Sequence, residues 1–131
     1  MMAHGMKTVL VVDDSRIMRN IVKNFFSGQK IPCEYLEAED GNEALAVLMK
    51  QPVDLVLLDW NMPKLSGIDF LKKVRAMSEY AKLPIIMITS ESSRYNVIEA
   101  LKVGATDYII KPINIKLFTD KISRVFPDLM E

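Results

Sequence analysis

A chain of 131 residues, half of them hydrophobic, holds enough apolar material for one buried core and too little for two. Lysine and arginine total 17 and aspartate and glutamate total 17, so there is no cationic excess to displace counterions from nucleic acid or to seek anionic lipid, and neither partner is expected. A lone cysteine, Cys33, excludes an internal disulfide and a cysteine metal cage and points to a reducing, cytoplasmic setting, while no apolar run approaches the roughly 20 residues that span a bilayer.

The first five residues precede a second possible start at Met6 and are set aside as a tail, leaving residues 6–131 as the expected domain. Thr8-Val9-Leu10-Val11-Val12 is apolar and β-branched almost throughout, the pattern of a strand buried on both faces. Ser15 is a candidate N-cap for a helix whose apolar residues include Ile17, Ile21 and Phe25. Cys33 to Ala38 reads as a strand carrying Glu34 and Glu37, which suits a sheet edge. A turn at Gly41 leads into a helix with Ala44, Leu45 and Leu48. Leu55-Val56-Leu57-Leu58 is a second fully buried strand, followed by a helix with Phe70, Leu71 and Val74. Ile85-Ile86-Met87-Ile88 is a third, followed by a helix with Ile98 and Leu101 and a turn at Gly104. Tyr108-Ile109-Ile110, bounded by Asp107 and Lys111, is a second edge strand, and Ile115, Phe118 and Ile122 mark the last helix. Pro52, Pro84 and Pro127 fall outside the periodic segments, as chain breakers should.

Five repeats of strand then helix call for a single-domain α/β fold, a doubly wound five-stranded parallel sheet. With three apolar strands inside and two charged ones outside, the order 2-1-3-4-5, the flavodoxin-like arrangement, is expected. Ligands of such sheets bind beyond the carboxyl ends of the strands where the winding reverses, here between the first and third strands. Asp13 and Asp14 follow the first strand and Asp59 follows the third, so three carboxylates are expected in one crevice. Close like charges disfavour one another's ionisation unless a cation relieves them. A small, hard, incomplete oxygen set suits Mg²⁺, with the Asn61 backbone carbonyl as a further candidate ligand. Thr89 ends the fourth strand with a hydroxyl and Lys111 follows the fifth with an ammonium, both able to meet phosphoryl oxygens. An anionic nucleophile, a metal and a cation together fit phosphoryl transfer to an aspartate. A cis bond between Lys111 and Pro112 is also expected.

The ordinary reading of each residue alone is a cap, a turn or an edge charge; their coincidence is what packing does not require. Asp13-Asp14, Asp59, Thr89 and Lys111-Pro112, with Asp59-Trp60-Asn61-Met62-Pro63, Glu39-Asp40-Gly41, Glu91 and Tyr108, resemble a response-regulator receiver domain of the chemotaxis type, from about Met6 onward. The resemblance implies that Asp59 is the phosphoacceptor, that Asp13, Asp14, Asp59 and Asn61 hold Mg²⁺, and that Thr89 and Tyr108 move on phosphorylation. It further implies a histidine kinase as donor, a target such as the flagellar motor switch protein, an assisting phosphatase, and a monomer acting as a switch and not as a conventional enzyme. Val97, Ile98, Ala100, Leu101 and Val103 spread more apolar surface than one core contact needs, so Val97 and Leu101 are candidates for a partner surface. Ser15 stands where an aromatic residue follows the acidic pair in similar members, and Ser90 is a second departure. Two alternatives stay open at this point: a phosphorelay intermediate, and, in another class, a small metal-dependent phosphatase or flavodoxin-like cofactor binder. The latter wants a first loop rich in Gly, Ser or Thr, against Asp13-Asp14-Ser15 here.

Overall fold

The computed structural model describes residues 6–129, so the expectations for the first five residues lie outside it. The elements alternate as β1 (Lys7–Val12), α1 (Arg16–Gly28), β2 (Cys33–Ala38), α2 (Gly41–Lys50), β3 (Leu55–Leu58), α3 (Gly67–Arg75), β4 (Ile85–Thr89), α4 (Arg94–Val103), β5 (Asp107–Ile110) and α5 (Ile115–Val125). Short 3₁₀ turns at Ser78–Tyr80 and Pro127–Leu129 complete the chain, neither of them foreseen from the sequence. All strands are parallel, in the order β2-β1-β3-β4-β5, with the two charged strands at the edges.

Side chains alternate along the inner strands because successive residues of a strand point to opposite faces. Leu10, Val12, Val56, Leu58, Ile85 and Met87 face α2, α3 and α4, packing with Leu48, Phe70, Leu71, Val74 and Ala100. Val9, Val11, Leu55, Leu57, Ile86 and Ile88 face α1 and α5, packing with Val22, Phe26, Phe118 and Ile122. Phe118 meets Phe26 edge-on at 5.2 Å between ring centroids, joining the two helices on that side.

Each helix begins on a polar cap: Ser15, Asp40, Ser66, Ser93 and Asn114 accept from amides of the first turn, which have no partner within the helix. Asp40 is thus a cap and Gly41 the first helical residue, not a free turn. Gly104 ends α4 with φ of 126°, a conformation that favours glycine.

Three helix faces differ from their expected apolar stripes. Ile17 is 72% exposed and Ile21 38%, because α1 turns Val22 and Phe26 to the sheet instead. Ile98 is 41% exposed, since α4 rests on the sheet through Ala100 with Val97 and Val103 beside it, while Leu101, already expected to be partly exposed, is 45% exposed. Ile115 is exposed while Phe118 and Ile122 carry α5. A stripe read by spacing alone fixes the period of a helix and leaves its rotation open by one position.

Candidate functional site

The site grows out of the β1–β3 pairing. Val12 pairs with Leu58, so the residues that follow each strand emerge side by side at the carboxyl edge. The Asp59 amide donates to the Val12 carbonyl at 2.9 Å and the Asp13 amide to the Ala38 carbonyl at 3.1 Å, extending the ladder one residue past the strands. Asp13 and Asp59 are buried and Asp14 is exposed, and one carboxylate oxygen of each lies within 4.8 Å of the others. That convergence of hard oxygen donors is compatible with a divalent cation.

Lys111 enters from the end of β5. Its Nζ lies 2.9 Å from Asp13 Oδ2 and 3.4 Å from Asp59 Oδ2, bridging the two buried carboxylates. The Lys111–Pro112 bond is cis, as expected. Asp13 Oδ1 also accepts from the Ser15 amide at 2.8 Å, and Asp59 Oδ1 from the Trp60 amide at 2.7 Å. Burial pushes the Asp59 carboxyl above its ordinary value; Lys111 opposes the rise and Asp13 adds to it.

Thr89 is fully buried and its hydroxyl accepts from the Glu91 amide at 3.2 Å. Tyr108 is buried as well, its hydroxyl donating to the Glu91 carbonyl at 2.6 Å, and burial with nearby Glu91 pushes its phenol up to about 12. Asn61 is exposed; its side-chain amide donates to Glu91 Oε1 at 3.1 Å, and Asn96 reaches Glu91 Oε2 at 3.4 Å. Glu91 therefore joins the carboxylate crevice to the first turn of α4 and to β5. Val97 is half-buried and Leu101 exposed, both on α4.

Two neighbours of the site escaped the sequence reading. Gly67 presses on the Asp59 loop: a Cβ there would lie 1.9 Å from the Asp59 carbonyl oxygen, and its amide donates to the Trp60 carbonyl at 2.8 Å. The signal was Ser66-Gly67 just ahead of an apolar run, a cap followed by a residue with no side chain. Arg19 is 7% exposed and donates to the Asp13 carbonyl at 2.7 Å. Its signal was a cation at the spacing of Val22 and Phe26, on the buried face of α1.

Residues 9–123 match the family described as "Response regulator receiver domain". The chain is 42% identical over 121 residues to a protein of Vibrio cholerae named chemotaxis protein CheY-3, covering 92% of each chain. It is 45% identical over 118 residues to chemotaxis protein CheY1 of Helicobacter pylori, covering 89% of this chain and 94% of that one. The structure of chemotaxis protein CheY4 of Vibrio cholerae superposes with a TM-score of 0.83 at 39% identity, over 92% of this chain and 99% of that one.

Proposed function

The chain belongs to the response-regulator receiver family, and on that premise we propose that it is a stand-alone signalling switch that accepts a phosphoryl group on Asp59 from a histidine kinase. The observation that carries this reading is the convergence of Asp13, Asp14 and Asp59 with the Lys111 ammonium at the ends of three different strands. A carboxylate oxygen of Asp59 attacks the phosphorus, the P–N bond of the phosphohistidine breaks, and the departing imidazole takes a proton from water. Lys111 offsets the charge of the transferring group, and the buried Thr89 hydroxyl lies at the end of the neighbouring strand to meet its oxygens. Mg²⁺ held by Asp13, Asp14, Asp59 and the Asn61 carbonyl would, when bound, supply the charge neutralisation that lets a phosphodianion approach three carboxylates. The domain catalyses only its own phosphorylation and autodephosphorylation, with Asn61 and Glu91 flanking the path of water to the acyl phosphate.

The output runs through Glu91. Phosphorylation biases Thr89, and with it Tyr108, toward one arrangement, and the surface of α4, β5 and α5 reports it to a target. Relatives named as chemotaxis proteins support the flagellar motor switch protein as that target and a chemotaxis kinase as the donor. One receiver domain over residues 6–131, acting as a monomer in the cytoplasm, with a phosphatase to end the signal, completes the reading. Among the described residues no helix is long and apolar enough to cross a membrane.

The test is incubation with acetyl phosphate or phosphoramidate, with and without Mg²⁺, followed by intact mass. Wild type gains one phosphoryl group in the presence of Mg²⁺, and Asp59→Asn gains none. Equal modification of both chains would sink the assignment.

A further inference from the structure

Asp14 is the odd member of the carboxylate cluster. Asp13 and Asp59 are each held by Lys111 and by a backbone amide. The Asp14 carboxylate faces solvent and takes no hydrogen bond among the described residues. Its place beside the others therefore depends on the backbone that carries it, above all on the peptide joining Asp13 to Asp14.

That peptide is gripped from behind. The Asp13 carbonyl accepts from Arg19 Nη1 at 2.7 Å. The same guanidinium donates through Nε to Glu37 Oε1 at 2.8 Å, and its Nη2 stands 3.9 Å from Glu39 Oε1. Glu37 is in turn held by Lys23 Nζ at 3.4 Å, and its carboxyl lies below the ordinary value chiefly because Arg19 donates to it. A planar fork buried between α1, β2 and the end of β1 thus ties the acidic loop to the edge strand. A cation placed next to a cation site would, by charge alone, weaken that site. Its presence calls for a geometric reason.

We propose that Arg19 is a positioning residue for the divalent-cation site: by pinning the Asp13–Asp14 peptide against Glu37, it aims the Asp14 carboxylate into the cluster. The inference rests on the metal reading given above and adds to it a residue that touches neither the ion nor the phosphoryl group. Hydrogen-bond partners behind a ligand commonly matter this way, because they fix the direction from which the ligand atom approaches.

The sign of one substitution separates positioning from charge. Arg19→Met removes a positive charge beside the site, so Coulomb's law alone predicts tighter Mg²⁺ binding, whereas loss of positioning predicts weaker binding. Titration of Mg²⁺ in the absence of any phosphodonor, read by the fluorescence of Trp60, the only tryptophan, should show affinity weaker by about tenfold or more. Val74→Ala, in the core on the other face of the sheet, controls for lost stability and should bind as wild type does. Unchanged or tighter binding in Arg19→Met overturns the proposal. Arg19→Lys keeps the charge and the aliphatic stem but cannot span both acceptors as a fork. It serves if the methionine variant does not fold, and wild-type affinity in it is equally fatal. A wild type that gives no Mg²⁺ response sinks the metal reading alone. The Asp14 amide resonance in chelator then decides the positioning role. A larger shift in the Arg19 variant than in Val74→Ala supports it, and an unmoved resonance overturns it.

Discussion

Asp59 has to be ionised to act as a nucleophile, yet it lies where ionisation is disfavoured, 7% exposed and beside a second buried carboxylate. Burial raises its folded value, so its protonated form is favoured by folding. The stabilisation this gives is complete below the unfolded value and is lost as pH rises through the folded one. At neutral pH in chelator the charged side chain therefore costs stability, and Asp59→Asn is expected to be the more stable protein. Urea unfolding checks this: the gap should close as pH falls through the Asp59 folded value toward the ordinary 3.8. A variant less stable at pH 7 would contradict the account. Gly67 makes the opposite case, in which the smallest side chain is the only one that fits. Gly67→Ala drives a methyl group into the Asp59 carbonyl, and a loss of about 1–3 kcal/mol is expected from such overpacking in the same unfolding assay.

These residues also mark how far the sequence could be read. Asp13, Asp14, Asp59 and Thr89 each end or follow a strand whose apolar run is unmistakable, and Lys111 follows the shorter, charge-bounded edge strand, so strand order brought their backbones to one edge. Arg19 and Gly67 had no such marker. Their contacts run to backbone carbonyls, at Asp13 and at Asp59, and a carbonyl leaves no trace in residue type. The Tyr108 hydroxyl is a third instance, bonded to the Glu91 carbonyl.

At the scale of elements, α4 is the least tied to the core of the five helices, with Ala100 its one buried residue. Its C-terminal end is nonetheless fixed, because Arg75 Nε of α3 donates to the Gly104 carbonyl at 2.9 Å. Its N-terminal turn is reached by Glu91 through Asn96, so a change at Thr89 or Tyr108 bears on the end of α4 nearer the carboxylates. Tyr108→Phe removes the bond to the Glu91 carbonyl and should cost about 1 kcal/mol in unfolding experiments while leaving phosphorylation by acetyl phosphate unchanged. Leu101→Glu on the exposed face of α4 should weaken target binding at least tenfold, measured by calorimetry, and leave phosphorylation intact. Equal loss of both functions would contradict a separate output surface. The rotation of α4, like that of α1, was hidden from periodicity because aliphatic residues occupy its outer face too: Ile98 and Leu101 satisfy the spacing as well as Val97 and Ala100 do.

At the scale of the whole molecule, the sheet works as a frame with chemistry at its carboxyl edge and packing everywhere else. Edge placement of the charged strands keeps Glu34, Glu37 and Asp107 out of the two cores, and one of those charges, Glu37, is joined to the site through Arg19. Cys33, buried in β2 with its thiol pushed up to about 11 by burial, sits in the packing and not in the chemistry. The central claim is that phosphoryl transfer ends on one particular carboxylate of the three. Borohydride reduction of the chain after treatment with acetyl phosphate and Mg²⁺ converts an aspartyl phosphate to homoserine, which peptide mass spectrometry locates. The account predicts homoserine at position 59 alone; homoserine at position 13 or 14, or at none of the three, would contradict it.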